Sequence, residues 1–195
     1  MHRFSLDPRA LAREESHAFT GPAGSIEALW RPAQPGATPQ AVIVVAHPHP
    51  AFGGTMHNKV VFHTARVLNH DLGSPSLRFN FRGVGASEGA YDEGRGEVED
   101  LLAAWAEARR LAPGLPLVAA GFSFGAGMTL HAATRVSEPP VGLALLGIPL
   151  RIIEPPEPYP RPLPLAAVHG EKDQYTPPET VREFLKRWPY ASADK

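Results

Sequence analysis

The stretch Gly121-Phe122-Ser123-Phe124-Gly125-Ala126-Gly127, GFSFGAG, sets one serine between glycines two positions away on either side. The apolar run LPLVAAG (115–121) leads into it, and the small-residue stretch FGAGMTLHAATRV (124–136) follows at helical length. A strand that turns straight into a helix through such a serine needs a tight, strained corner. Flanking glycines remove side chains that would collide there. The corner lifts the hydroxyl above the end of a sheet and points the N–H groups of the next helix at one place. The stretch therefore predicts a strand–corner–helix unit with Ser123 as a nucleophile. The plainer reading is a small-residue strand–helix turn.

Outward from this unit, short apolar β-branched runs alternate with helical patterns, as in layered α/β folds. HAF (17–19) and SIEALW (25–30) flank a TGPAG turn and predict an antiparallel hairpin. AVIVVAH (41–47) is a continuous apolar run, the mark of a strand buried on both faces. NKVVFHTARVLNH (58–70) carries apolar residues at helical spacing, and SLRFNF (76–81) reads as a further strand. EVEDLLAAWAEARRLA (97–112) opens with acids and closes with arginines, matching the helix dipole. VGLALLG (141–147) and LPLAAVHG (163–170) are expected as strands, the latter as a last buried one, and PPETVREFLKRW (177–188) as a last helix opened by prolines. Prolines crowd residues 148–164 and argue against regular structure there.

The chain has 195 residues, enough for one domain with a sizeable core, and no composition shift marks a second, so 1–195 reads as a single domain without a separate cap. With 43% hydrophobic and 20% charged residues and a net charge of -1, it has the balance of a globular protein and no footprint for nucleic acid or an anionic membrane. It has no cysteine, which excludes disulfides and thiolate metal sites. The opening MHRFSLDPRALAREES has no apolar run of the secretory kind, and no stretch approaches the ~20 apolar residues of a membrane span, so a cytoplasmic location is expected.

Two loops converge on the serine. AVIVVAH ends in His47-Pro48-His49-Pro50-Ala51-Phe52-Gly53-Gly54, where a second oxyanion donor would fall. Pro48 and Pro50 carry no N–H, leaving His49, Ala51 or Phe52; position favours the N–H of His49 paired with that of Phe124 as the oxyanion hole. The imidazoles of His47 and His49 read as loop packing and hydrogen bonding. No acid lies beside them in sequence, so no metal site is expected. The other loop, FNFRGVGASEG (79–89), is a poor dinucleotide fingerprint, since its third glycine falls late and its helix starts well beyond it. No cofactor is expected. Arg82 reads equally as a brace of this loop or as a surface arginine.

Taken together, HPHPAFGGTMHNKVV, LRFNFRGVGASEG, GFSFGAG and HGEKDQYTPP resemble a family of small, cap-poor bacterial α/β-hydrolases related to the dienelactone-hydrolase and esterase groups. The match runs from about Val42 to Pro178. The resemblance implies a mostly parallel, doubly wound sheet of about seven strands behind the N-terminal hairpin, with Ser123 as nucleophile and an acid on the loop after LPLAAVHG. Asp173 matches that acid, whose role is to orient an imidazole and stabilise its cation; Glu171 is the substitute. The family's histidine is expected after one further strand, yet no histidine follows His169. The expectation is a chain lacking the eighth strand, the histidine loop and the final helix, with impaired catalysis and an exposed sheet edge inviting self-association. The function implied is hydrolysis of a small-molecule ester or thioester by acyl-enzyme chemistry; the alternative is a non-catalytic small-molecule-binding protein on the same scaffold.

Overall fold

The computed structural model describes residues 12–156 and 163–188. The opening of the chain, the middle of the proline-dense segment and the tail from residue 189 lie outside the described residues.

Seven strands form one sheet in the order β1-β2-β4-β3-β5-β6-β7. β1 (Glu15–Gly21) and β2 (Gly24–Arg31) pair antiparallel from Glu15↔Trp30 to Gly21↔Gly24, so the hairpin turn is only Pro22-Ala23, tighter than the sequence suggested. β2 joins the rest antiparallel to β4 (Ser76–Phe79). From there β4, β3 (Val42–Ala46), β5 (Leu117–Phe122), β6 (Gly142–Leu146) and β7 (Leu165–Val168) run parallel. The expected mostly parallel α/β sheet with an N-terminal hairpin is what forms.

The two-residue period of a strand explains why β3 is apolar throughout. Val42, Val44 and Ala46 enter one core, whereas Ile43 and Val45 enter the other. The second core is closed by α1 (Lys59–Leu72) through Val61 and Ala65. The first takes α2 (Arg95–Leu111) through Leu101, Ala104 and the fully buried Trp105. It also takes α3 (Phe124–Thr134) and, through Val181, Phe184 and Trp188, α4 (Pro178–Arg187) with its flank. α3 is buried along nearly its whole length, which is why it is built of glycine, alanine and methionine rather than of one apolar stripe.

One strand departs from its reading. β7 is not buried on both faces: it is the last strand of the order, its residues alternate between half-buried and exposed, and Val168 is 65% exposed. Residues 148–156 form turns without helix or strand. Among the described residues no helix is long and apolar enough to cross a membrane.

Candidate active site

Ser123 sits between the end of β5 and the start of α3 with φ 53° and ψ −117°, a positive φ that β-branched and bulky side chains avoid. Close approach on both sides makes the glycines obligatory. A Cβ on Gly121 would strike the carbonyl of Gly125, and a Cβ on Gly125 would lie 2.6 Å from the carbonyl oxygens of both Ala46 and His47. The corner is thus wedged against the C-terminal end of β3. Ser123 N–H donates to the Leu146 carbonyl at 2.9 Å, tying it also to β6. Phe124, as the first residue of α3, has an N–H with no intrahelical acceptor, at the positive end of the helix dipole.

The corner opens into a cleft of about 850 Å³, lined among others by His49, Phe52, Tyr91, Ser123, Phe124, Met128, Ile153 and Asp173. The structure therefore brings Ser123, Asp173, His49 and Phe124 to one cavity. Asp173 is held by its own loop: Oδ1 accepts from the N–H groups of Tyr175 and Thr176 at 2.9 Å each. Oδ2 stands 4.0 Å from Nε2 of His169, whose ring is tied at 2.6 Å to the Thr176 carbonyl and nearly buried. His169 packs inside the acid loop and is not a lining residue of the cleft. Glu171, the substitute acid, is exposed and does not line it either.

The two loop histidines part company. His47 is fully buried; its Nδ1–H donates to the Pro48 carbonyl at 2.6 Å and its Nε2 accepts from the Phe81 N–H at 3.0 Å. It thereby clasps the end of β3 to the loop after β4. Burial pushes its pKa down from 6.5 to about 4. Protonation then favours the unfolded chain: stability is complete above pH 6.5 and falls as pH drops towards 4. The fall from 6.5 to about 4 corresponds to about 3 kcal/mol in full. We expect urea unfolding to show a loss of about 2 kcal/mol between pH 7 and pH 5 that shrinks in His47→Gln. Equal losses in parent and variant would contradict this assignment.

His49 turns the other way, onto the cleft. It caps the short 3₁₀ turn Pro50–Phe52, and its ring packs 4.8 Å from that of Phe124 and 4.7 Å from that of Phe52, centroid to centroid. Arg82 is a brace. Its guanidinium grips the fully buried Asp100 of α2 at 2.8 and 3.0 Å, and its backbone N–H reaches the same carboxylate at 2.9 Å. Gly96 lies under that guanidinium, with no room for a Cβ. A second clasp escaped the sequence reading: Glu97, fully buried, accepts from the N–H groups of Asp92 and Gly94 at 2.9 and 2.8 Å and so shapes the loop carrying Tyr91. The signal available was an acid at the third helical position, the mark of a capping box, here serving the loop and not only the dipole.

His49 and His131 are the histidines among the cleft-lining residues, and both rings are engaged, His49 with Ala51 and Tyr91 and His131 with the Glu154 carbonyl at 2.9 Å. Among the described residues no histidine hydrogen-bonds to Ser123 or Asp173.

No family model matches the chain. An uncharacterised protein of Rickettsia prowazekii, RP471, is 35% identical over 174 residues, covering 87% of this chain and 71% of that protein. A solved structure from Coxiella burnetii, described as an α/β serine hydrolase homologue, is 34% identical with a TM-score of 0.82, over 91% of this chain and 84% of the other. XC6422 of Xanthomonas campestris, described as an α/β serine hydrolase without a lid, is 32% identical with a TM-score of 0.78, over 92% and 81%. The esterase Pf2001 of Pyrococcus furiosus, at 18% identity and a TM-score of 0.73 over 95% and 81%, shares the fold.

Proposed function

This chain belongs to the α/β-hydrolase family, and on that premise we propose that it hydrolyses a small ester or thioester through an acyl-enzyme on Ser123. The observation that carries the reading is the positive-φ serine, wedged between β3 and β6 at the wall of a cleft that also holds Asp173. In this account the Ser123 hydroxyl attacks the carbonyl carbon and its proton passes to an imidazole. The tetrahedral oxyanion is received by the N–H groups of Phe124 and His49. Its collapse breaks the bond to the alkoxide or thiolate, which leaves with that proton, and water then releases the acid by the same path.

Asp173 supports the acid role because Oδ1 is occupied by its own turn, which leaves Oδ2 to accept from an imidazole. The imidazole itself is taken to be none of the described histidines, since those in the cleft are otherwise engaged. Turnover that relies on the described histidines is accordingly slow. The turns of residues 148–156 beside the cleft fit the lidless description of the Xanthomonas relative and favour small or flexible acyl groups.

The test is hydrolysis of matched 4-nitrophenyl esters and thioesters by parent and Ser123→Ala. The expected result is slow release by the parent above the solution rate and none by the variant. Equal rates in both would remove the hydrolase reading and leave a binding protein on this scaffold.

A further inference from the structure

The histidine that borders the cleft fixes the direction of a hydrogen bond on its wall. His49 Nδ1 accepts from the N–H of Ala51 at 3.2 Å, a group that can only donate. Burial lowers the pKa of His49 despite the opposing charge of Glu97, so the ring is neutral and its single proton resides on Nε2. Nε2 faces the hydroxyl of Tyr91 at 3.0 Å, and the phenolic oxygen is therefore the acceptor in that bond. The phenolic proton stays free. Burial and the nearby charges of Glu97 and Glu93 raise the pKa of Tyr91, so the proton is retained at neutral pH.

Tyr91 is also fixed in place. The His49 ring lies 5.0 Å from its ring, and the loop beneath it is clamped by Glu97 through the N–H groups of Asp92 and Gly94. The lining of the cleft sets the apolar Phe52, Phe124 and Met128 beside the carboxylates of Glu93 and Asp173 and the hydroxyl of Tyr175. The arginines that line the cleft are ion-paired, Arg95 with Asp92 and Arg135 with Glu99. A cleft whose arginines are ion-paired and whose lining also carries the carboxylates of Glu93 and Asp173 disfavours an anion, and the oriented Tyr91 hydroxyl favours a neutral ligand with an acceptor oxygen at that place.

We propose that Tyr91 is a specificity residue, donating its phenolic proton to an ether, hydroxyl or carbonyl oxygen that a neutral substrate carries beside its scissile bond. This rests on the reading of Ser123 as the nucleophile of the same cleft. The experiment compares two fluorophosphonate probes of equal length and the same reporter, one with an alkyl and one with a polyether linker. The parent is expected to react about fivefold faster with the polyether probe. Tyr91→Phe should bring the ratio near unity; an unaltered ratio overturns the proposal and leaves the serine reading standing.

Two measurements do not depend on Ser123 reacting. Nitrogen NMR of the His49 ring should show the proton on Nε2, and a proton on Nδ1 would overturn the proposal. Titration with 1,2-dimethoxyethane should move that Nε2 signal in the parent and not in Tyr91→Phe, and the absence of a shift in the parent tells equally against it. Failure of both probes to label Ser123 would instead count against the hydrolase reading.

Discussion

Added imidazole should raise ester hydrolysis by this chain by about 10²-fold, the low end of what a positioned general base contributes. Ser123 and Asp173 line one open cleft, and the Asp173 loop presents Oδ2 while Oδ1 is held by the N–H groups of Tyr175 and Thr176. A free imidazole entering there can accept the serine proton from one nitrogen and donate to Asp173 from the other. Only the neutral form accepts, so the rescued rate should climb with pH through the titration of free imidazole around neutrality and level off above it. Asp173→Asn should reduce the rescue several-fold and Ser123→Ala should abolish it. A parent already fast without imidazole, and unchanged by it, would show that a histidine of these 195 residues is the base.

The second large effect is expected at Gly125. Alanine there places a methyl group 2.6 Å from the carbonyl oxygens of Ala46 and His47, both backbone atoms at the end of β3 that cannot rotate away. Either α3 lifts from the sheet or β3 bends. We expect Gly125→Ala to cost about 3 kcal/mol in urea unfolding. A shift of the corner by about 1 Å should also slow the reaction at Ser123 by about 10²-fold. Gly142→Ala is the control: its Cβ would meet nothing nearer than the Pro164 carbonyl at 3.6 Å, and its backbone is not in the left-handed region. Loss at Gly125 no greater than at Gly142 would mean that the corner is not wedged as described.

The parts of the site that were legible in the sequence are those written in contiguous residues. The apolar run into GFSFGAG fixes a strand and a corner whose spacing admits few conformations, and the corner formed where it was read. HPHP did not separate its two histidines, both of which read as loop packing, since residues two apart on an extended segment share a face; they part because the chain turns into the 3₁₀ helix at Pro50. His47 went inward and His49 to the cleft.

What was not legible lies in pairings between distant segments. Tyr91 sits in a stretch without periodicity, and its partner His49 is 42 residues away. Glu97 and Asp100 look like the acidic start of an amphipathic helix, yet both are fully buried and spend their oxygens on loops. LPLAAVHG has the apolar continuity of a strand buried on both faces, and only the missing eighth strand pointed to an exposed edge; among the described residues β7 has one strand neighbour, β6.

The claim on which the rest depends is that the strained serine is the nucleophile of the cleft. Its most direct test is a peptide map of the 195-residue chain after treatment with an alkyl fluorophosphonate, with and without imidazole. The account predicts one modified residue, Ser123, labelled slowly alone and faster with imidazole. Modification spread over surface hydroxyls, or unchanged in Ser123→Ala, would contradict it.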